Sequence, residues 1–197
     1  MSSQVFAGDT SGSITIQAPA VAGTGVLTLP ANTTGTLATR ITSGTAVTTT
    51  SGTSIDVTGI PSWVKRVTLM LNGISTNGTS IIQFQLGAGS IQTTGYDAEA
   101  TGFQAAALLV SGVYTSGFPL GGDNTANMVY TGNITFCNFG SNLWIGSMAG
   151  GANNSGSGRT FHGGGKVTLS GTLDRLRITT TNGTDTFDAG SVNILYE

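Results

Sequence analysis

The sequence predicts an all-β fold: an antiparallel β-sandwich of jelly-roll-like form over residues 41–197, preceded by an extended N-terminal arm over residues 1–40. Three observations predict it. Apolar residues recur at every second position in short runs, as in Val67, Leu69 and Leu71, in Ile82, Phe84 and Leu86, and in Val192, Ile194 and Tyr196. That period places one apolar stripe on one face of a strand. About eight such runs are spaced by turn-forming residues, the pattern of a sandwich or jelly roll. The composition agrees: 31 glycines, much threonine and only 8% charged residues. Threonine is β-branched and suits a pleated surface among other strands.

The same numbers exclude several classes. A chain of 197 residues holds one ordinary domain with an appendage. A net charge of −2 with scattered arginines leaves no electrostatic footprint for nucleic acid. No apolar run approaches the 18 or so residues of a spanning helix, so no membrane insertion is expected. The start, MSSQVFAGDT, has neither a basic nor an apolar leader region, so no secretory signal is expected. The single cysteine, Cys137, excludes an intrachain disulfide and a cysteine-based zinc site, and reads as a small apolar filler. No cofactor is expected. Low charge points to a surface that meets protein more than bulk water.

In order, the arm comes first. Ser13–Gln17 alternates briefly, Pro19 interrupts it, and Gly23-Thr24-Gly25 turns into Val26–Leu29 before Pro30. Its apolar residues are too few to close a core, so Ile14, Ile16, Val26, Leu27 and Leu29 are expected to dock on a partner. Thr45–Thr50 and Ser54–Val57 flank Ser51-Gly52-Thr53 as a hairpin. The runs ending at Leu71 and starting at Ile82 each read as half-buried strands, joined by a polar connection with two Asn-Gly pairs, the dipeptide that best supplies positive φ. The strand Ser191–Glu197 is the natural partner of this pair. Gly87–Thr94 reads as a loop, and Tyr96–Glu99 opens another strand. For Phe103–Val110 periodicity cannot separate helix from strand, but Gly102 and Gly112 bracket it and no cap precedes it, which favours a strand. Asn127–Phe139 reads as a strand pair or one bent strand, broken at Gly132-Asn133, and Leu143–Met148 as the next strand. Gly150–Gly165, polar and glycine-rich, reads as an exposed loop. Thr181–Asp185 reads as a hairpin turn between Leu173–Thr180 and Phe187–Glu197.

Two stretches carry a resemblance. The string from Gly8 to Pro30, GDTSGSITIQAPAVAGTGVLTLP, with Thr34-Gly35-Thr36-Leu37 after it, resembles a connector segment of tail-fibre and other virion proteins of tailed bacteriophages. GIPSWVKRVTLMLNGISTNGTS (59–80) and LSGTLDRLRITTTNGTDTFDAGSVNILYE (169–197) resemble the two ends of a C-terminal β-domain found on such proteins, whereas residues 97–165 match far less well. The resemblance implies a virion structural protein on the particle exterior, of tail-fibre or appendage type. It implies a homotrimer whose arm attaches to other virion proteins and whose variable centre meets a host surface receptor or glycan. A decoration or cement protein that touches no host is the alternative, favoured by the lack of a long shaft of repeats.

Chemistry is sparse. His162 is the only histidine, and its Phe-His-Gly-Gly-Gly context holds no catalytic geometry. Two-carboxylate glycoside hydrolysis would have to use Asp97 with Glu99, which share a strand face, or Asp185 with Asp188 near a turn. A calcium site from Asn182, Asp185 and Asp188 lacks dense acidic spacing. The protein is therefore expected not to be an enzyme. Trp63 reads as core or subunit interface. Phe118, Trp144, Phe161 and His162, in or near the variable centre, are the candidate exposed contacts.

Overall fold

The computed structural model describes residues 3–7, 13–17, 41–104, 107–110 and 112–197. The chain divides into two units, Met1–Thr39 and Arg40–Glu197. In the first, β1 (Ser3–Ala7) pairs antiparallel with β2 (Ser13–Gln17), so the expected alternation around Ile14 and Ile16 is a strand. Val26, Leu27 and Leu29 lie outside the described residues.

The second unit is all-β among its described residues. Short strands β3 (Thr42–Ser43) and β4 (Val47–Thr48) precede β5 (Ser54–Thr58), β6 (Arg66–Thr76), β7 (Ile82–Ala88) and β8 (Ser90–Ile91). Then come β9 (Tyr96–Gln104), β10 (Ala107–Val110), β11 (Phe118–Pro119), β12 (Val129–Gly140), β13 (Leu143–Asn154) and β14 (Ser157–Thr168). The last two are β15 (Arg175–Thr180) and β16 (Phe187–Tyr196). A large sheet runs in the order β10-β9-β14-β13-β12-β6-β16-β3, with β4 also on β16; a small sheet runs β11-β7-β15-β5, with β8 on β7. Every strand pairing is antiparallel.

The predicted apolar stripes face each other across one core. Val67, Leu69 and Leu71 of β6 and Val192 and Ile194 of β16 meet Phe84 and Leu86 of β7 and Leu176 and Ile178 of β15, all buried. Each such side chain contributes about 1.5–3 kcal/mol by leaving water. The sheets are also tied by a polar link. The Tyr96 hydroxyl, on the large sheet, accepts from the Leu86 N–H at 2.8 Å and donates to the Gln92 carbonyl at 2.9 Å. It bonds β7 in the gap between the short pairings with β11 and β8.

Several expectations are corrected. Gly150–Gly165 is not a loop but the distal half of β13 and most of β14, turned at Ser155-Gly156. The inward glycines, Gly150, Gly163 and Gly165, lie where a Cβ would collide with its neighbours, as does Gly132 on β12. At Gly132 an added Cβ would approach the Phe161 ring at 3.1 Å, and at Gly150 it would run into the same ring and the Thr131 carbonyl. Pairing on both sides, to β12 and to β9, overrides the weak propensity. The first Asn-Gly pair is likewise inside a strand: β6 continues to Thr76, with Gly73 at φ 66°. There β16 and β12 both shift register, and Gly190, at φ 91°, packs on the Gly73 carbonyl. The pair is a bulge, not a turn.

The two expected hairpins 45–57 and 181–185 are crossings instead. β4 joins the large sheet while β5 joins the small one, and the 181–186 segment carries the chain from β15 back to β16 in the other sheet. Gly87–Thr94 contains β8, folded back on β7. Asn127–Phe139 is one strand, β12, and the described part of 103–110 is strand on both sides of its centre.

Candidate contact surface

The candidate contacts separate by strand phase. β13 turns Trp144, Gly146 and Met148 inward and Ile145 and Ser147 outward. Trp144 is therefore buried, as are Phe118 and Phe161. Phe118 fills the core between Tyr96, ring centres 5.3 Å apart, and Phe136, at 5.1 Å; Phe161 stacks edge-on against Tyr130 at 5.7 Å. These three are core anchors, which corrects their expected role as exposed contacts. Such aromatic pairs add about 0.5–1.5 kcal/mol beyond their burial.

His162 is exposed, on the outer face of β14, with its ring 6.0 Å from that of Phe103. Beside it Gly164 has no side chain, leaving a shallow depression of about 400 Å³ lined by Glu99, Thr101 and His162. The carboxylates are engaged or scattered. Asp97 pairs with Lys166 at 3.3 Å and Glu99 lies two residues along the same strand. Asp185 accepts from the Asn182 amide at 2.6 Å and the Ser80 N–H at 2.9 Å, which holds its carboxyl below the usual range, the Asn182 bond foremost. Asp188 accepts from the Ser75 hydroxyl. Among the described residues no three histidine, cysteine, aspartate or glutamate side chains gather as metal ligands.

Among the described residues eight large apolar side chains are exposed; Val47, Phe103, Val113 and Val129 are dispersed, and Ile41, Trp63, Phe139 and Ile145 belong to one end of the large sheet. Phe139, 75% exposed, stands at the β12–β13 turn. Its neighbour Asn138 donates its N–H to the Lys65 carbonyl at 2.8 Å, two residues from Trp63, which is 45% exposed. Trp63 thus lies outside the core. Cys137 is exposed, not a filler, and pairs in register with Ile145 on one side and Arg66 on the other. The Lys65 and Arg66 N–H groups bond the Glu197 carbonyl at 2.6 and 2.8 Å, and Thr42 beside Ile41 pairs with Tyr196. The pairing of β3, β16, β6, β12 and β13 thus brings Ile41, Phe139 and Ile145 to the same end as Trp63 and the Arg66–Glu197 ion pair. The Arg66 guanidinium holds the Glu197 carboxyl below the usual carboxylate range.

Compared with known proteins, the chain matches no family model, no curated protein and no solved structure.

The sequence reading missed Ile41, Phe139 and Ile145. Phe139 precedes Gly140-Ser141-Asn142, so an apolar side chain directly before a turn was the available signal. Trp144 and Ile145 are both large, so alternation alone could not say which faces water. The outer face between this end and His162 carries Ser147, Ala149, Asn133 and Thr135, all small or uncharged.

Proposed function

We propose that this protein is a non-enzymatic structural component of a tailed-phage virion, of tail-fibre or appendage type, on the particle exterior. Its arm attaches to other virion proteins and its sandwich self-associates as a homotrimer. The resemblance of residues 8–39, 59–80 and 169–197 supports the class of protein. One observation carries the mode of action: Ile41, Trp63, Phe139 and Ile145 stand exposed at the end where the chain enters the sandwich from the arm. Two large aromatics in water are costly unless covered, and each buries about 150–250 Å² in an interface. Closed symmetry lets one such patch serve every subunit.

Light scattering of the purified full chain tests self-association, and labelling of particles in electron micrographs tests the location. The expected results are a trimer that falls to monomer in the Trp63→Ser/Phe139→Ser variant with little change in melting temperature, and label on the particle exterior. A monomeric wild type at high concentration overturns the first; particles devoid of the protein overturn the second. The small or uncharged residues Asn133, Thr135, Ser147 and Ala149 at the centre of the outer face favour one other reading, a decoration protein packed on the shell or tail. In that case removing the protein lowers particle resistance to heat and leaves host range unchanged.

A further inference from the structure

Three Asn-Gly pairs occur in the chain. Two of them stand in the same tetrapeptide, Thr-Asn-Gly-Thr, at 76–79 and 181–184, and the third is Asn72-Gly73. An asparagine before glycine is prone to attack by the following backbone nitrogen, because no side chain shields that nitrogen. Identical local sequence gives Asn77 and Asn182 the same intrinsic reactivity, so a difference between them comes from the fold. All three asparagines are exposed to water.

The reaction needs a glycine N–H able to give up its proton, a polarised side-chain carbonyl and an amide nitrogen able to leave. At Asn182 the first and the last are occupied. The Gly183 N–H donates to the Thr180 carbonyl at 3.0 Å, and Asn182 Nδ2 donates to Asp185 at 2.6 Å. Asn182 Oδ1 accepts from the Thr180 hydroxyl at 2.8 Å and from the Thr184 and Asp185 N–H groups at 2.9 and 3.2 Å, which fixes the side chain over its own turn. At Asn72 the Gly73 N–H donates to the Thr131 hydroxyl oxygen at 3.2 Å, and Nδ2 donates to the Ser191 hydroxyl oxygen at 3.4 Å.

Asn77 differs on each count. Its Oδ1 accepts from the Thr186 N–H at 2.9 Å, a backbone donor placed where negative charge gathers as the carbonyl is attacked. Its own N–H donates to the Thr186 carbonyl at 2.9 Å, so the residue is held by both bonds. Among the described residues nothing accepts from Asn77 Nδ2 or from the Gly78 N–H.

We propose that Asn77 is a site of self-modification, converted in the folded chain to aspartate and isoaspartate ahead of Asn72 and Asn182. The Gly78 nitrogen loses its proton to water and bonds to Asn77 Cγ; the Cγ–Nδ2 bond breaks, and ammonia leaves after taking a proton from water. A second water opens the cyclic imide, at Cγ to give aspartate or at the main-chain carbonyl to give isoaspartate. Either product adds a negative charge beside Asp185, whose carboxylate occupies the place that a Cβ on Gly78 would take. Isoaspartate also routes the backbone through the side chain, which lengthens the connection from β6 to β7. Asp185 ties that connection to the 181–186 crossing by accepting from the Ser80 N–H at 2.9 Å, so the modification loosens the end where the two crossings meet.

This site does not depend on the virion reading, since it uses neither the arm nor the apolar end. The test ages the full chain in mildly alkaline buffer, folded or in guanidinium chloride, and follows each asparagine by peptide mapping that separates aspartate from isoaspartate. In the folded chain Asn77 is expected to convert about tenfold faster than Asn72 or Asn182, the factor set by one hydrogen bond that must first break. Unfolded, Asn77 and Asn182 should convert alike. The melting temperature of aged wild type should fall, whereas aged Asn77→Gln, which closes an imide ring slowly, should keep the value measured when fresh. The proposal is overturned if the folded chain converts Asn182 as fast as Asn77, if Asn77 stays intact while the unfolded chain reacts, or if Asn77 outpaces Asn182 equally in guanidinium chloride. Equal losses of melting temperature in aged wild type and aged Asn77→Gln would overturn the loosening.

Discussion

At the scale of single residues, the fold depends on side chains that are absent as much as on those present. Gly150 faces the Phe161 ring across the inner surface, and no methyl group fits between them. Gly150→Ala is expected to destabilise the protein by about 1–3 kcal/mol through overpacking, seen as a lower urea midpoint with an unchanged slope. Tyr96 is the opposite case, a buried hydroxyl placed where backbone needs a partner. Burial pushes its phenol up to about 12 from an ordinary value of 10, partly offset by its backbone bond to Leu86. The folded state thus favours the neutral phenol. Its contribution is full below pH 10 and is lost as the pH rises from 10 to 12. The melting temperature should fall across that window, and Tyr96→Phe should make the fall shallower. At neutral pH the same substitution should cost about 1–3 kcal/mol by leaving the Leu86 N–H unpaired. A flat alkaline profile would refute this account.

At the scale of elements, the β12–β13–β14 meander turns on two tight pairs. Ser141 and Asn142 have φ of 49° and 60°, and Ser155 and Gly156 have 48° and 93°. Positive φ at both positions is the geometry of a two-residue hairpin turn matched to strand twist. Serine is a poor choice there, so the double substitution Ser141→Asn/Asn142→Gly should raise stability by about 1 kcal/mol, read as a higher melting temperature. These turns also show what was legible in the sequence. Val67–Leu71 and Ile82–Leu86 announced their strands because every second residue is large and apolar. β16 pairs with β6 as expected, but not with β7, which lies in the other sheet beside β15: alternation marks a strand and does not say which sheet it joins. β14 was not legible, since Gly163, Gly164 and Gly165 carry no pattern and its register comes from neighbours on both sides. Nor can alternation show that a strand's polar face is roofed, so nothing marked Gln83 and Gln85 as buried beneath Ser116. Trp63 was legible as core or subunit interface, but Ile41 and the Phe139–Ile145 turn lie too far from it in sequence for the shared end to be read.

At the scale of the whole molecule, the chain passes repeatedly between the two sheets, so strands that pair are often distant along it. The strand order also has a consequence for synthesis. β6 takes β16 as a neighbour, yet about a hundred residues separate them along the chain. On a ribosome that interval is about ten seconds. During it the Val67–Leu71 row has one flank without its mate, and stray pairing with nascent chains nearby becomes the chief hazard. Yield of native protein should then depend on how fast the final segment is delivered, more than on how firmly the finished sandwich holds.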